Sequence, residues 1–363
     1  IYFIIVMKIL LINHYAGSPN LGMEFRPYYV TKGWVKLGHE VLIVGGSYSH
    51  LRKVQPQSCE EMIDDVRYRW VKVNPYKGNG IGRIISMFSF VTKLYCNYRR
   101  YLRNFKPDIV IASSTYPLDI YPAYRIARHY HAKLIYEVHD LWPLSPMELG
   151  GYSKKHPFIR IMQKAEDDCY RYADAVVSML PKAEEHMREH GLTRDKFHYV
   201  PNGIVLSDWN NPKGIPEEHG LLLSKLRAEG KFIVGFAGAH GIANSLYAVI
   251  DAVSSLTEQN VVLVLVGGGQ EKENLIKYAH KKGVTNVYFL LPINKLAIPN
   301  LLKEMDVLYI GLQKQSLFRF GISPNKMFDY MMAAKPIIQA IDAGNNLVRE
   351  ADCGIDVEPV SYT

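Results

Sequence analysis

A lysine and an aspartate lie three residues apart at the predicted start of a helix in residues 321–338, GISPNKMFDYMMAAKPII. Ser323 is a preferred N-cap residue, and Pro324 suits the first helical position. The apolar residues that follow have the i, i+3, i+4, i+7 spacing of one buried helix face. They are Met327, Tyr330, Met331 and Ala334. We therefore expect a helix that begins at Pro324 and packs this face against the core.

Lys326 and Asp329 suit the recognition of a nucleoside diphosphate. Lys326 falls in the first helical turn, where the positive end of the helix dipole disfavours a cation unless an anion neutralises both. Asp329 lies one turn deeper on the same side, and its carboxylate could accept hydrogen bonds from the vicinal hydroxyls of a ribose. A surface ion pair between the two residues, which would contribute only a few tenths of a kcal/mol, explains the spacing equally well.

A second candidate loop, GFAGAHGIANSL, places Gly235, Gly238 and Gly241 before a predicted helix. Glycines let the backbone approach a phosphate, and a helix start favours negative charge. The spacing G-x-x-G-x-x-G differs from the dinucleotide fingerprint G-x-G-x-x-G, and VGGGQ at residues 266–270 does not match it either. An NAD site is therefore poorly supported, whereas an amide-lined pocket for a diphosphate is reasonable.

Two loops of the first half are further candidates. NHYAGSPNLGMEFRPYYV carries Gly17 and Gly22 before a helix expected to begin around residues 24–26, and phosphate binding and an ordinary glycine-containing loop are equally compatible with it. In IYEVHDLWP, His139 and Asp140 lie just past a strand end. A histidine there can donate a hydrogen bond to a sugar hydroxyl or a phosphate oxygen, and a purely structural histidine is the alternative.

Ten short β-branched runs, separated by helix-length segments, predict the sheets that position these groups. They are residues 8–13, 40–46, 107–113, 133–140, 174–179, 232–239, 261–269, 286–291, 306–311 and 335–341. Most are apolar on both faces, which is typical of parallel sheets covered by helices on both sides. The sequence therefore predicts an α/β fold.

The strand–helix pattern breaks in residues 200–220, where Pro, Gly and Asn cluster without apolar periodicity. We expect an N-terminal domain at 7–205, a linker at 206–230 and a C-terminal domain at 231–363. Both are expected to be doubly wound, Rossmann-like domains whose strand-to-helix loops face a central cleft.

Composition limits the class of protein. A chain of 363 residues that is 48% hydrophobic suits two soluble globular domains. Its four cysteines are scattered without C-x-x-C pairing, which argues against a zinc site and against a disulfide framework, and favours a reducing compartment. The opening run is interrupted by Lys8 and is too short to span a membrane, so we expect a buried strand starting near Met7, with residues 1–6 as an upstream extension and no secretion signal.

The positive charge is confined to the first part of the chain. Residues 1–210 hold 28 Lys and Arg against 20 Asp and Glu, and the rest holds 15 of each. Residues 83–106 contain six basic and six aromatic residues and no acidic ones. Such a helix suits an anionic membrane surface, although one face must be buried. The expected buried residues are Ile84, Met87, Val91 and Leu94. Nucleic acid is not expected as a partner, because no recognised binding module accompanies the charge.

Several segments, in matching order over nearly the whole chain, resemble retaining glycosyltransferases of family 4, which have the two-Rossmann GT-B fold. They are residues 7–46, PDIVIASS, YEVHDLWP, VPNGI, GFAGAHGIANSL, LVGGGQEKENL and GISPNKMFDYMMAAKPII. The resemblance is to bacterial enzymes of O-antigen, capsule or exopolysaccharide synthesis, including fucosamine-transferase-like members. It implies transfer of a hexosyl or N-acetylhexosaminyl group from a UDP-linked sugar to a lipid-linked or saccharide acceptor.

The resemblance also implies roles for individual residues. Lys326 would contact the donor diphosphate, Asp329 would hold the ribose, and His139 would contact the transferred sugar as the catalytic residue. The rest of the nucleotide-sugar site would comprise Gly238, Gly241, Ser323 and Asn325. The phosphate and acceptor side would comprise Gly17, Gly22, Glu24 and Arg26.

The chain departs from the family pattern at two places. Gly321 occupies the position of a second glutamate eight residues before Asp329, and the chain ends where relatives continue into further helices, so we expect a truncated reading frame. No D-x-D triplet is present. We therefore expect no metal requirement and no cofactor, with Lys326 and backbone amides stabilising the leaving diphosphate and retention through attack on the same face.

Two other functions fit the same residues. A nucleotide-sugar epimerase of the same fold would need no acceptor, and a non-catalytic nucleotide-sugar-binding protein would not turn over. Because the expected acceptor is lipid-linked, the protein is expected in the cytoplasm, peripheral to the inner face of the cytoplasmic membrane.

Overall fold

The computed structural model describes residues 5–78 and 80–360, which form two compact units divided between Pro201 and Asn202. Each unit is an α/β domain with its own sheet. Residues 1–4 of the expected upstream extension and 361–363 of the expected C-terminal domain lie outside the described residues. Among the described helices, none is long and apolar enough to cross a membrane.

The first unit is an eight-stranded sheet covered by helices. Its strands are β1 Lys8–Ile12, β2 Glu40–Gly46, β3 Glu60–Ile63, β4 Val66–Val71, β5 Ile109–Ala112, β6 Lys133–Val138, β7 Ala175–Ser178 and β8 Phe197–Tyr199. Its helices are α1 Arg26–Lys36, α2 Ile81–Leu102, α3 Ile120–Tyr130, α4 Leu144–Gly150, α5 Pro157–Tyr172 and α6 Glu184–Glu189. The strand order is β3-β4-β2-β1-β5-β6-β7-β8, and only the β3–β4 pair is antiparallel. Leu10 of β1 pairs with Leu42 on one side and Val110 on the other.

The second unit is a six-stranded parallel sheet. Its strands are β9 Phe232–Ala237, β10 Val261–Val266, β11 Val287–Leu290, β12 Val307–Gly311, β13 Ile337–Ala340 and β14 Gly354–Asp356. Its helices are α7 Leu206–Asn210, α8 Glu217–Ala228, α9 Leu246–Ser254, α10 Lys272–Lys281, α11 Ile298–Lys303, α12 Asn325–Met332 and α13 Leu347–Glu350. The order β11-β10-β9-β12-β13-β14 is that of the doubly wound dinucleotide-binding fold. Two apolar cores, one on each face of this sheet, are centred on Met327 and Phe236.

All ten predicted strands are present, but the structure adds three short edge strands and β4. Asp64 and Asp65, with φ of +46° and +66°, make the tight turn between β3 and β4, and a two-residue turn of this kind requires positive φ at both positions. The other added strands, β8 and β14, have only three residues each.

The segment expected to be a linker, 206–230, is not extended chain. It contains α7 and α8, and Leu223 and Leu226 of α8 are buried in the core of the second unit. Their spacing of three residues places both on one helix face, so α8 is part of that unit.

The basic helix α2 buries the face that the sequence predicts. Met87, Val91 and Leu94 are buried and Ile84 is partly buried, while Cys96 is exposed. The helix is interrupted at Asn97, which has non-helical φ and ψ of −121° and 23°.

Candidate functional site

Each sheet has a point where the strand order reverses, and ligands of such sheets bind there, outside the carboxyl ends of the strands. In the second unit this point lies between β9 and β12, so the loop of residues 238–245 and the start of α12 are expected to contact the ligand. In the first unit it lies between β1 and β5.

Lys326 lies at the reversal point of the second unit. Its Nζ donates a hydrogen bond to Asn244 Oδ1 at 2.6 Å and lies 4.3 Å from the ring centroid of Phe236. Burial lowers the pKa of Lys326 to about 7, and no carboxylate in the described part of the chain offsets this effect. A partly buried ammonium group whose contacts are an amide and an aromatic face is a suitable binding group for an anion.

Two more basic side chains lie beside Lys326. His240 is fully buried, and neither of its ring nitrogens has a hydrogen-bond partner among the described residues. Burial, reinforced by the charges of Lys272 and Lys326, lowers the pKa of His240 to about 4. Lys272 Nζ donates to the carbonyl oxygens of Gly267 and Leu290 at 2.9 and 2.7 Å. His240 is therefore neutral near pH 7, and the positive charge at this end of the sheet comes from the two lysines.

The glycines of this region serve the packing of two loops. A Cβ at Gly267 would lie 1.9 Å from the carbonyl oxygen of Gly238, and one at Gly269 would lie 2.4 Å from that of His240. A Cβ at Gly238 would lie 3.1 Å from Lys326 Nζ, whereas one at Gly241 would meet only Asn244 Nδ2, at 4.0 Å. Gly238 thus makes room for Lys326, and of these four glycines Gly241 has the least crowded backbone.

Asp329 and Lys326 do not share a partner. Asp329 is 6% exposed and forms an ion pair with Lys295, which is on the loop before α11. A carboxylate has about four acceptor positions, so Lys295 leaves Asp329 able to accept a ribose hydroxyl. The ion pair of Lys326 with Asp329, considered as an alternative from the spacing, is replaced by these two separate contacts.

The prediction of an N-cap at Ser323 is wrong. The helix begins at Asn325, with Pro324 as the cap residue. Ser323 Oγ instead accepts a hydrogen bond from the backbone N–H of Asn202 at 2.8 Å, and the Ser323 carbonyl oxygen accepts one from the Asn202 side chain at 2.7 Å. Ala334, expected on the buried face, lies beyond the end of α12 and is exposed.

Asn325 is the first residue of α12, and Gly321 lies four residues before it. Asn325 is exposed at the first position of α12, where a ligand at the helix start could contact it. Gly321, at the position of the missing carboxylate, is buried with φ of +96°, a backbone conformation that favours glycine.

His139 belongs to a buried charged network at the carboxyl end of β6. Its Nε2 lies 3.2 Å from Glu137 Oε2 and 2.9 Å from Ser113 Oγ, and the Ser113 hydroxyl donates to Glu137 at 2.6 Å. Burial opposes protonation of His139, but its hydrogen bond and charge interaction with Glu137 outweigh burial and raise its pKa. Burial also opposes ionisation of Glu137, yet the charges of His139 and Arg26 hold its pKa well below the usual range.

Arg26 completes this network from the first residue of α1. Its Nε donates to Glu137 Oε1 at 2.9 Å, and its terminal nitrogens donate to the carbonyl oxygens of Val200 and Pro201 at 2.9 Å each. Glu24 is partly buried, and its charge contributes to the raised pKa of His139. The structure therefore brings His139, Arg26 and Glu24 together, with Arg26 paired to a carboxylate inside the protein.

Gly17 and Gly22 shape their own loop. A Cβ at Gly17 would lie 1.9 Å from the carbonyl oxygen of Gly22. Gly22 has φ of +112°, and a Cβ there would lie 2.8 Å from the backbone nitrogen of Lys53. Both glycines are explained by backbone packing, independently of any phosphate.

Glu137 and His240 are the site residues that the sequence analysis missed. Glu137 is a lone acidic residue in an apolar strand, and its spacing of two from His139 places both on one face of the sheet. That pattern is a usable signal. His240 gives no comparable signal, because its unpartnered burial becomes evident only in three dimensions.

The order of the strands in the two sheets defines a protein of two α/β, Rossmann-like domains. The family described as "Glycosyl transferase 4-like domain" matches residues 22–203, and that described as "Glycosyl transferases group 1" matches residues 223–355. The chain belongs to these glycosyltransferases, and its fold is GT-B.

One curated relative is a protein of Bacillus subtilis (strain 168), TuaH, whose name assigns it to teichuronic acid biosynthesis as a glycosyltransferase. It is 24% identical over 215 residues, which are 57% of this chain and 50% of the relative. The match thus spans about half the length of that protein.

Solved structures share the fold over nearly the whole chain. Anabaena HepE, in complex with UDP and glucose, superposes with a TM-score of 0.63 at 18% identity over 97% of this chain and 86% of its own. Sucrose-phosphate synthase from Thermosynechococcus elongatus gives 0.68 at 14% identity, over 98% and 86%. WaaG, a glycosyltransferase involved in lipopolysaccharide biosynthesis, gives 0.63 at 16% identity, over 97% and 86%.

Proposed function

We propose that this protein is a retaining glycosyltransferase that moves a hexosyl or N-acetylhexosaminyl group from a UDP-sugar to a lipid-linked or saccharide acceptor in bacterial surface polysaccharide synthesis. The observation that carries the proposal is Lys326, a partly buried cation at the reversal point of the second sheet, with no carboxylate beside it among residues 5–78 and 80–360. A diphosphate would supply the missing anion. The UDP in the HepE complex and the name of TuaH support the donor and the pathway class.

In this proposal the second unit binds the donor. Lys326, Asn325 and the open backbone at Gly241 contact the diphosphate, and Asp329 accepts ribose hydroxyls while Lys295 holds its carboxylate. Lys326 offsets the charge that develops on the leaving diphosphate, so no metal ion is required. Ser323 acts indirectly, by fixing the chain before α12 through Asn202.

The first unit binds the acceptor and the transferred sugar. His139 is held by Glu137 and Ser113 through Nε2, so its Nδ1 is the nitrogen that would contact a sugar hydroxyl. The raised pKa keeps the ring protonated to a higher pH than usual, which favours hydrogen-bond donation. Arg26 positions Glu137, and the loop of Gly17, Gly22 and Glu24 forms the adjoining surface.

The test is a thermal-shift titration with UDP, GDP, ADP, their sugars and NAD, because a ligand that binds only the folded state raises the melting temperature. UDP is expected to give the largest rise, and Lys326→Met to abolish it. Lys277→Met, which removes an exposed lysine of α10, is the matched control and should retain the rise. A rise with NAD alone, or an unchanged rise in Lys326→Met, would contradict the donor site.

Product analysis separates transfer from the two other functions. Incubation with UDP-sugars and a polyprenyl-diphosphate-linked saccharide should extend the acceptor and release UDP. Conversion of one UDP-sugar to another without acceptor would instead identify an epimerase. UDP binding without any product would identify a binding protein.

The lipid-linked acceptor leads us to propose that α2 binds the inner face of the cytoplasmic membrane. One face of this helix exposes Ile81 (76%), Ile85 (56%) and Phe88 (36%), and its end carries exposed Arg99 and Arg100. Apolar side chains beside basic ones suit an anionic bilayer surface. Co-sedimentation with phosphatidylglycerol vesicles should fall in an Ile81→Ser, Ile85→Ser, Phe88→Ser variant. Binding that does not depend on anionic lipid would contradict this role.

A further inference from the structure

We infer that Glu166, His186 and His190 form a binding site for a transition-metal dication, with Zn²⁺ the best-suited ion. One ligand atom of each residue lies within 4.8 Å of the other two. Two imidazoles and a carboxylate are a donor set that zinc accepts in proteins. The site lies in the first unit and involves none of the residues assigned to glycosyl transfer.

The two histidines are positioned by the end of α6. His186 is within the helix and His190 is its C-cap residue, so their spacing of four places both rings on the same side. The ring centroids are 4.8 Å apart with an interplanar angle of 55°. The side chains are 12% and 28% exposed, which leaves the rings accessible to an ion.

Glu166 supplies the third ligand from α5. Its side chain is 2% exposed, and one carboxylate oxygen lies 3.5 Å from His186 Nε2. Tyr170 and Gln163 donate hydrogen bonds to its two oxygens at 3.0 and 2.8 Å. These bonds hold the carboxylate in place, as the supporting contacts of a metal ligand do.

Asp167 and Gln163 both contact one ring nitrogen of His190. That nitrogen is Nδ1, with contacts of 3.0 and 2.8 Å, and in the proposed site the other nitrogen, Nε2, binds the metal. An aspartate that fixes the far nitrogen of a histidine is a common arrangement at zinc sites. His190 and Asp167 also line a cavity of about 540 Å³, through which His190 can be reached from outside the cluster.

The position of the cluster indicates a structural role for the ion. α5 ends at Tyr172, just before β7, and His190 precedes β8, so both elements return to the amino ends of their strands. The reversal-point loops and His139 lie at the opposite, carboxyl ends. A bound ion would therefore cross-link α5 and α6 without contacting the substrates.

The test uses the full chain, stripped of metal with a chelator and titrated with Zn²⁺ by calorimetry. We expect one ion per chain and a rise in melting temperature that is absent from His190→Gln. His198→Gln, which changes an exposed histidine outside the cluster, is the matched control and should bind normally. Co²⁺ should give the visible absorption of a low-symmetry site in the unmodified protein and not in His190→Gln.

Each result is decisive. Because Glu166 is buried and Glu166→Gln could impair folding, the partly exposed His190 carries the test, with circular dichroism to confirm that the variant is folded. Sub-stoichiometric binding by the unmodified chain, or binding by folded His190→Gln equal to that of His198→Gln, would overturn the proposal.

Discussion

Lys326 and His139 are both basic side chains shielded from solvent, but their pKa values are shifted in opposite directions. Lys326 loses affinity for its proton because burial is not compensated by a carboxylate, whereas His139 gains affinity because Glu137 outweighs burial. The first arrangement leaves a positive group ready for an external anion. The second keeps a positive group within the protein.

UDP affinity should depend on the protonation of Lys326. With a pKa of about 7 in the free protein, Lys326 is mostly neutral at pH 9, and binding of a diphosphate must then take up a proton. The affinity should fall as the pH rises from 7.5 to 9.5, by up to about tenfold per unit. Calorimetry of UDP binding measures this slope. Lys326→Met should bind weakly and without the slope, and an equal slope in both proteins would show that another group is responsible.

Glu137→Gln should destabilise the first unit strongly. The change leaves Arg26 buried without its carboxylate and removes the main interaction that keeps His139 protonated. Breaking a buried pair from one side costs about 3–5 kcal/mol. Urea denaturation followed by fluorescence measures the loss. Glu40→Gln breaks the exposed pair with Lys8 and should cost less than about 1 kcal/mol, so similar losses for both variants would contradict the assignment.

Residue types were predictable from the sequence, but their partners were not. The place of Lys326 in the first turn of α12 follows from local pattern, whereas its partner Asn244 is 82 residues away. Ser323 shows the limit most clearly. Its local preference for capping is overridden by Asn202, which only the folded chain brings within reach.

At the scale of elements, the donor site depends on two loops whose backbones touch. The loop after β10 packs directly against the loop after β9, and Gly267 and Gly238 make the contact. This contact positions His240 beside Lys326. A side chain at Gly267 would therefore push the two loops apart.

Gly267→Ala should therefore destabilise the second unit and weaken UDP binding. The new methyl group would lie 1.9 Å from the Gly238 carbonyl oxygen, and overpacking of this kind costs about 1–3 kcal/mol. Thermal unfolding and UDP titration measure the two effects. The neighbouring Gly268→Ala is the control, because its methyl group would lie 3.7 Å from Pro292, an ordinary contact. Equal stability of the two variants would contradict the packing argument.

The long apolar strands were predictable, and the short polar ones were not. β3 and β4 form a hairpin, EEMI and VRYRWV, in which four of the ten residues are charged and interrupt any apolar run. β8 and β14 are too short for any periodicity to appear. α8 was missed because the Pro- and Gly-rich residues before it conceal its apolar stripe.

At the scale of the molecule, two separate sheets and cores divide the proposed work between the units. Charge follows the same division, since the positive excess is in residues 1–210. This division predicts that donor binding protects backbone amides mainly in the second unit.

Hydrogen exchange measured with and without UDP should show this local protection. Protection is expected in residues 238–245 and at the start of α12, where Lys326 and Gly241 lie, with little change in β3 and β4 of the first unit. Mass spectrometry of peptic fragments resolves these segments. Protection confined to the first unit would contradict the assignment of the donor site to the second sheet.

The contact between the loops after β9 and β10, made by Gly238 and Gly267, also limits how the sequence of such a protein can change in evolution. Mutations at Gly267 or Gly238 would be removed by selection for folding, whatever sugar the protein uses. Within the loop after β9 the tip has more freedom than the base, since Ile242 is 60% exposed. Descendants of this chain could therefore acquire a new donor by drift at the tip of the loop while its base remains unchanged.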